Sequence, residues 1–283
     1  MCIRDSYTLY KFFAFRFKFL VLQDLQFRRK DIDTRMIQVE GLTKIFHDKK
    51  RGKVVAVNNL EFNCRKGQVF GLLGPNGAGK TTTLRILATM ILPTKGKIMV
   101  NGLDVVRHSA KVRSQIGFLS SETGLYDRFT PRETIMFFGR INGMEDKVIK
   151  KRTAEIFHNL DMEDFQDVRV NKLSSGMKQK LSIARSIIHN PPVLILDEPT
   201  VGLDIITARI VIEYVKSFRD QGKCIIYSTH IMREAEKLCD MIAIIHHGTL
   251  VAQGTLKELK KNSSSDDLEE IFFELINQGE NLE

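Results

Sequence analysis

Cysteines are few and unpaired. Cys2, Cys64, Cys224 and Cys239 are scattered over 283 residues without a C-x-x-C pair, which argues against a thiolate zinc site or a disulfide framework and makes a reducing cytosol the natural setting. Long apolar runs are missing as well. The stretch 12–22 is shorter than the ~20 residues that a membrane-spanning helix needs, and Arg16 and Lys18 interrupt it. It also lacks the small-residue cleavage site of a secretory signal. With no other stretch long enough to cross a bilayer, a membrane role has to come through a partner chain. Compositional bias is absent too. The 43% apolar and 27% charged residues are ordinary globular proportions, which exclude a disordered or fibrous protein and leave room for one large α/β domain or two modest ones.

Acidic residues are the minority among the charges. Against 34 Asp and Glu stand 43 Lys and Arg, a net charge of +9, which suggests an anionic partner such as a nucleotide, a nucleic acid or a membrane surface. Residues 1–35 contribute much of this imbalance. They hold 8 of the basic and 4 of the acidic residues, so the remainder carries +5, and the charge argument for nucleic acid weakens. The same segment concentrates aromatics, among them Phe12, Phe13, Phe15, Phe17 and Phe19, whose alternation with Arg16 and Lys18 would suit a strand. It carries no recognisable functional element. Residues 1–35 are expected to be a non-native or disordered extension, with translation beginning at Met36.

From Met36 onward short apolar runs alternate with helical patterns, as in an α/β domain with a largely parallel sheet. Strands are predicted at 37–40, 54–63, 69–73, 97–100, 116–119, 193–196, 224–228, 241–245 and 249–252. Between about 129 and 172 the strands stop. One helix is expected to open at Thr130-Pro131, where proline suits the first turn, and another lies near 147–160, so a helical subdomain is inserted in the α/β core. Residues 262–265 read as a linker. Beyond it Leu268, Ile271, Phe272 and Leu275 fall at i, i+3, i+4, i+7 and predict a terminal amphipathic helix.

The strand at 69–73 runs into Gly74-Pro75-Asn76-Gly77-Ala78-Gly79-Lys80-Thr81, which fits G-x-x-x-x-G-K-[ST] in the required strand-to-helix setting. The following helix is expected to show Leu84, Leu87, Ala88 and Ile91 on one face. Glycines let backbone N–H groups turn inward on phosphates, Lys80 neutralises β/γ charge, and the Thr81 hydroxyl can ligate Mg²⁺. Thr82 belongs to the same phosphate-binding set. The chain is therefore expected to bind a nucleoside triphosphate. A second run, Val193-Leu194-Ile195-Leu196-Asp197-Glu198, ends an apolar strand in two acids. Downstream of a phosphate loop, Asp197 would hold Mg²⁺ through water and Glu198 would polarise the attacking water; a plain salt bridge is the other reading of Glu198.

Between these motifs stands Leu173-Ser174-Ser175-Gly176-Met177-Lys178-Gln179-Lys180, a Ser-rich helix start. Here the chain resembles the ATP-binding subunits of ABC transporters, whose LSGGQ signature lies between phosphate loop and carboxylates. The resemblance runs from about Met36 to at least Gly254 and implies a P-loop NTPase core, an ABC ATP-binding domain at 36–260, with an inserted helical subdomain and a small antiparallel β subdomain. It further implies that Gly202-Leu203-Asp204 is the D-loop, that His230 is the switch histidine, and that Phe46, just after the first strand, stacks on adenine; a core role for Phe46 and a structural role for His230 are the alternatives. By the same resemblance Ser174, Ser175, Gly176 and Met177, with Asp204, would act on an ATP held by a second subunit in a head-to-tail dimer.

Three departures stand out. Ser121 takes the place of the usual glutamine, with Glu122 beside it; the signature ends in Met177 rather than Gln; and Val201 stands in the D-loop where Ser is usual. The loop 118–127 and the stretch 222–247, including Leu238-Cys239-Asp240, are similar to the NatA group, ATPase subunits of sodium-exporting ABC systems. The implied protein is an Mg²⁺-dependent ATPase on the cytoplasmic face of the membrane, docked on a separate transmembrane permease subunit and paired with itself or a related ATPase subunit. Export of sodium is one reading, export of a drug, lipid or polysaccharide another. A soluble ABC ATPase acting on the ribosome or DNA is the rival from a different class. One set of motifs without a basic linker, and a helical insert too short for a long coiled coil, argue against that rival and against a nucleic-acid partner.

Overall fold

The computed structural model describes residues 34–50, 52–120 and 124–280. The readings placed on residues 1–33, on Ser121 and on Glu122 lie outside the described residues.

Alternating sequence builds the first sheet. In β1 (Arg35–Asp48) and β2 (Gly52–Arg65) the residues Leu60, Phe62 and Cys64 are buried while Glu61, Asn63 and Arg65 face outward, the period-two pattern of a sheet with one wet face. β4 (Lys95–Val100) and the two-residue β5 (Leu103–Asp104) complete an antiparallel sheet in the order β2-β1-β4-β5. β1 extends well past the expected 37–40. Its pairing with β2 shifts register between Val39 and Leu42 and then continues to Asp48 opposite Gly52, so backbone pairing carries the strand where side-chain alternation fades. Phe46 consequently lies within β1, not after it.

Continuous apolar runs build the second sheet. β3 (Val69–Leu73), β7 (Val193–Asp197) and β8 (Cys224–Thr229) are buried at every position, as strands covered on both faces must be. The order is β10-β9-β3-β8-β7-β6, with β6 (Ile116–Leu119), β7, β8, β3 and β9 (Met241–His246) parallel and β10 (Thr249–Gly254) antiparallel at the edge. This is the mixed α/β core expected of a P-loop NTPase.

α1 (Lys80–Leu87) packs Leu84, Ile86 and Leu87 against the first sheet side of the core. The expected apolar face to Ile91 is cut short, because Ala88 caps the helix and Thr89 takes a φ of 60°. α2 (Ser109–Arg113) is a single short turn of helix. Between 129 and 172 stand α3 (Pro131–Ile141) and α4 (Asp146–Asn159), with 3₁₀ turns but no strand. α3 opens on a full capping box: Thr130 Oγ1 accepts from Glu133 N and the Glu133 carboxylate accepts from Thr130 N. α4, α5 (Ser175–Ile187) and α6 (Ile205–Asp220) bury Ile156, Phe157, Leu181, Ala184, Val211 and Val215 in one cluster with Leu194, Leu196, Ile225 and Tyr227 on the other face of the sheet.

At the C-terminal end α7 (Met232–Leu238), α8 (Leu256–Lys261) and α9 (Leu268–Glu280) gather over β3 and β9. Leu268 and Phe272 of α9 join Leu73, Ile242 and Ile244 in a third apolar cluster. Among the described residues no helix is long and apolar enough to cross a membrane.

Candidate active site

Three parallel strands deliver the chemistry to one edge. Leu73 is paired with Thr229 and Asp197 with Ser228, so the chain leaves β3, β7 and β8 side by side at their carboxyl ends, where open α/β sheets bind ligands. From β3 the phosphate loop turns into α1 through Gly79 at φ 101°, a left-handed backbone that glycine adopts freely. Closeness reinforces the choice: a Cβ on Gly79 would lie 2.5 Å from the Ala56 carbonyl, and one on Gly74 2.3 Å from that of Ile245.

The loop wraps a cleft of about 130 Å³ lined by Pro75, Asn76, Gly77, Ala78, Gly79, Lys80, Thr81, Thr82 and Glu198, with Ala56 of β2 on its outer side. Lys80 is 4% exposed. Its Nζ donates to the carbonyls of Gly74 at 2.7 Å and Pro75 at 3.1 Å and stands 3.3 Å from Glu198 Oε1. Glu198 Oε1 also lies 3.2 Å from His230 Nδ1. Lys80 and Glu198 thus line the cleft together, and His230 joins them through Glu198. Glu198 holds this place at a φ of 49°, a left-handed backbone uncommon for a residue with a side chain and typical of sites that store strain.

Asp197 is 2% exposed and accepts a 2.6 Å bond from Ser228 Oγ on its Oδ1. Its Oδ2 is buried with no hydrogen-bond partner. The Ser228 hydroxyl and carbonyl also accept from Glu198 N, at 3.1 and 3.2 Å. Ser228 therefore orients both acids, although the sequence motifs do not mark it; its one signal is a hydroxyl in an apolar run two residues before the histidine.

The remaining expected site residues lie elsewhere in the chain. Ser174 caps α5 by accepting from Met177 N, leaving Ser175 and Gly176 in the first turn, and Gly176 approaches Thr207 of α6. Asp204 is spent on its own helix: its carboxylate accepts from Ile206 N at 3.0 Å, Thr207 N at 2.9 Å and Thr207 Oγ1 at 2.7 Å. These bonds, that of the Thr207 backbone first, hold the Asp204 carboxyl below its ordinary value. None of Ser174, Ser175, Gly176, Met177 or Asp204 lines the cleft. The α5 helix still touches the segment after Glu198, where Gln179 Nε2 donates to Pro199 O at 2.6 Å. Phe46 is 40% exposed, with Lys44 Nζ 4.8 Å from its ring centre, so it is no core residue.

A loop-lined cleft holding a buried lysine and a strand-end glutamate, with a buried aspartate beside it in sequence, defines a nucleotide-hydrolysing P-loop protein. The family model for ABC transporters matches residues 57–201. The chain is 41% identical over 245 residues to the ABC transporter ATP-binding protein NatA of Bacillus subtilis, covering 86% of this chain and 99% of the relative. It is 39% identical over 239 residues to the Nod factor export ATP-binding protein I of Ralstonia nicotianae, covering 84% of this chain and 73% of that one. A solved ATP-binding cassette, dimeric and bound to ADP and phosphate in a post-hydrolysis state, superposes with a TM-score of 0.71 at 25% identity over 78% of this chain and 98% of the other. The chain belongs to the ABC transporter family; it is an ATP-binding subunit with ATPase chemistry.

Proposed function

We propose that this subunit hydrolyses ATP with Glu198 and His230, on the cytoplasmic face of the membrane, to drive a separate transmembrane permease that exports sodium ions. The observation that carries the catalytic reading is that Glu198, which lines the phosphate-loop cleft, touches both Lys80 and His230. On ATP binding Lys80 exchanges the Gly74 and Pro75 carbonyls and Glu198 for phosphate oxygens, and the loop amides from Gly74 to Thr82 cradle the phosphates. The freed Glu198 carboxylate then polarises the attacking water, and His230 orients that carboxylate.

The residues present fit Mg²⁺. Asp197 Oδ2 is a buried acceptor without a partner and Thr81 borders the cleft, so Asp197 through water and the Thr81 hydroxyl would hold the cation. Bound there, Mg²⁺ supplies positive charge against the β/γ-phosphates. Phe46, exposed on β1, stacks on the adenine. Ser174, Ser175, Gly176 and Met177, at a helix N-terminus away from the cleft, complete the γ-phosphate site of a second copy or a related ATPase subunit in a head-to-tail dimer, with Asp204 at the same interface.

Two variants separate the roles. Glu198→Gln retains MgATP binding, turns over at least ~100-fold slower and accumulates as an ATP-stabilised dimer in light scattering, whereas Lys80→Ala loses nucleotide affinity itself. Near-normal turnover of folded Glu198→Gln would overturn the catalytic reading. Sodium is supported by the similarity of the 118–127 loop and the 222–247 stretch to the sodium-exporting group, together with the 41% identity to NatA. Co-expression with the permease in a sodium-sensitive bacterium restores growth at high Na⁺ and lowers intracellular Na⁺, and Glu198→Gln abolishes the rescue. Unchanged intracellular Na⁺ with active ATPase would turn the reading to export of a drug, lipid or polysaccharide, which the identity to a Nod factor export protein favours.

A further inference from the structure

Beneath His230 lies a polar network that the ATP-binding motifs do not include. Glu234, in the first turn of α7, is 9% exposed, and Tyr227 and Thr229 on β8 are 0% and 1% exposed. Glu234 Oε2 accepts from the Tyr227 hydroxyl at 2.9 Å and from Thr229 Oγ1 at 3.2 Å. Thr229 Oγ1 in turn accepts from Ile231 N at 2.9 Å. The Tyr227 hydroxyl also lies 3.4 Å from Thr200 Oγ1. The network therefore grips the residue before His230, the residue after it, and the segment two residues beyond Glu198.

Burying a carboxyl group costs free energy unless hydrogen bonds offset it, and an apolar side chain of similar size would avoid that cost. Stability alone therefore accounts poorly for an acid at position 234. The geometry supplies another role. The sheet pairing of Thr229 with Leu73 fixes the backbone before His230, whereas after it Ile231 is held by its bond to Thr229 Oγ1 and by the start of α7, and the imidazole between them must stay within 3.2 Å of Glu198. Misplacement of a reacting group by about 1 Å can cost ~100-fold in rate.

We propose that Glu234 is a positioning residue for ATP hydrolysis: by accepting from Tyr227 and Thr229 it fixes the Thr229 hydroxyl, and through it the backbone at Ile231, so that His230 stays on Glu198. This inference rests on the catalytic reading of Glu198 and His230. Glu234→Leu, which fills the space without an acceptor, lowers kcat ~10- to 100-fold with the KM for ATP and the affinity for ADP unchanged. Glu234→Gln keeps an acceptor oxygen and restores most of the rate. Tyr227→Phe, which removes one of the two donors, lies between.

The deciding measurement is the double variant. If Glu234 acts through His230, Glu234→Leu causes no further fall in kcat in a His230→Ala background, whereas independent effects multiply. Multiplying effects, a Gln variant as slow as the Leu variant, or a raised KM in place of a lowered kcat would overturn the inference and leave the catalytic reading standing. Normal turnover of His230→Ala would instead remove the reading beneath it. Should Glu234→Leu fail to fold, Tyr227→Phe combined with His230→Ala makes the same comparison with an apolar ring in place of the phenol.

Discussion

At the scale of single residues, one hydroxyl holds two acids. Ser228 Oγ donates to Asp197 Oδ1 and accepts from the backbone of Glu198, so Ser228→Ala strips a buried carboxylate of its bond. Urea unfolding should show a loss of ~1–3 kcal/mol, the usual cost of a buried polar group left unsatisfied, and Mg²⁺ titration of the ATPase should show a higher half-saturation. The strand-end position of Asp197 and Glu198 was legible in the sequence because four apolar residues precede the pair, and the glycine-rich loop with Lys80 upstream is the setting in which such acids face bound phosphates. Ser228 and Glu234 were not: Ser228 meets Asp197 31 positions away, and Glu234, though its partners lie within seven positions, reads as an ordinary acid in a first helical turn. The left-handed backbone of Glu198, with φ 49°, was likewise silent, since nothing in a glutamate's residue type signals it.

Among the elements, length decided what could be read. Buried strands β3 and β6 announce themselves as unbroken apolar runs bounded by glycine or polar residues, and α3 by Thr130-Pro131. Short pieces do not: β5 spans two residues, α2 five and α8 six, too few for a period to repeat. The helix caps carry their own pH dependence. Asp204 at the head of α6 has a folded pKa held below its ordinary 3.8, so folding favours its ionised form. Its contribution is complete above the ordinary carboxylate range and fades as pH falls through the lowered folded value. Thermal unfolding of Asp204→Ala should therefore lie below that of the parent at neutral pH, and the two midpoints should converge in acid, with Asp204→Asn losing less than the alanine because its amide oxygen still accepts.

For the molecule as a whole, the terminal helix and the phosphate loop share a core. Phe272 is 5% exposed and joins the cluster containing Leu73, the residue before Gly74. Phe272→Ala should destabilise the fold by ~3–5 kcal/mol, seen in urea melts, and ATP at saturating concentration should recover part of it by mass action. The cleft itself sets a further property. Its volume of about 130 Å³ is well under the ~300–1,000 Å³ of pockets that enclose a whole ligand. It has room for phosphates, and under the proposed stacking on Phe46 the base lies outside it. A ring offers the same face to every purine, so the proposed stacking predicts that GTP competes with ATP for this subunit in a hydrolysis assay, the phosphates and not the base setting the affinity.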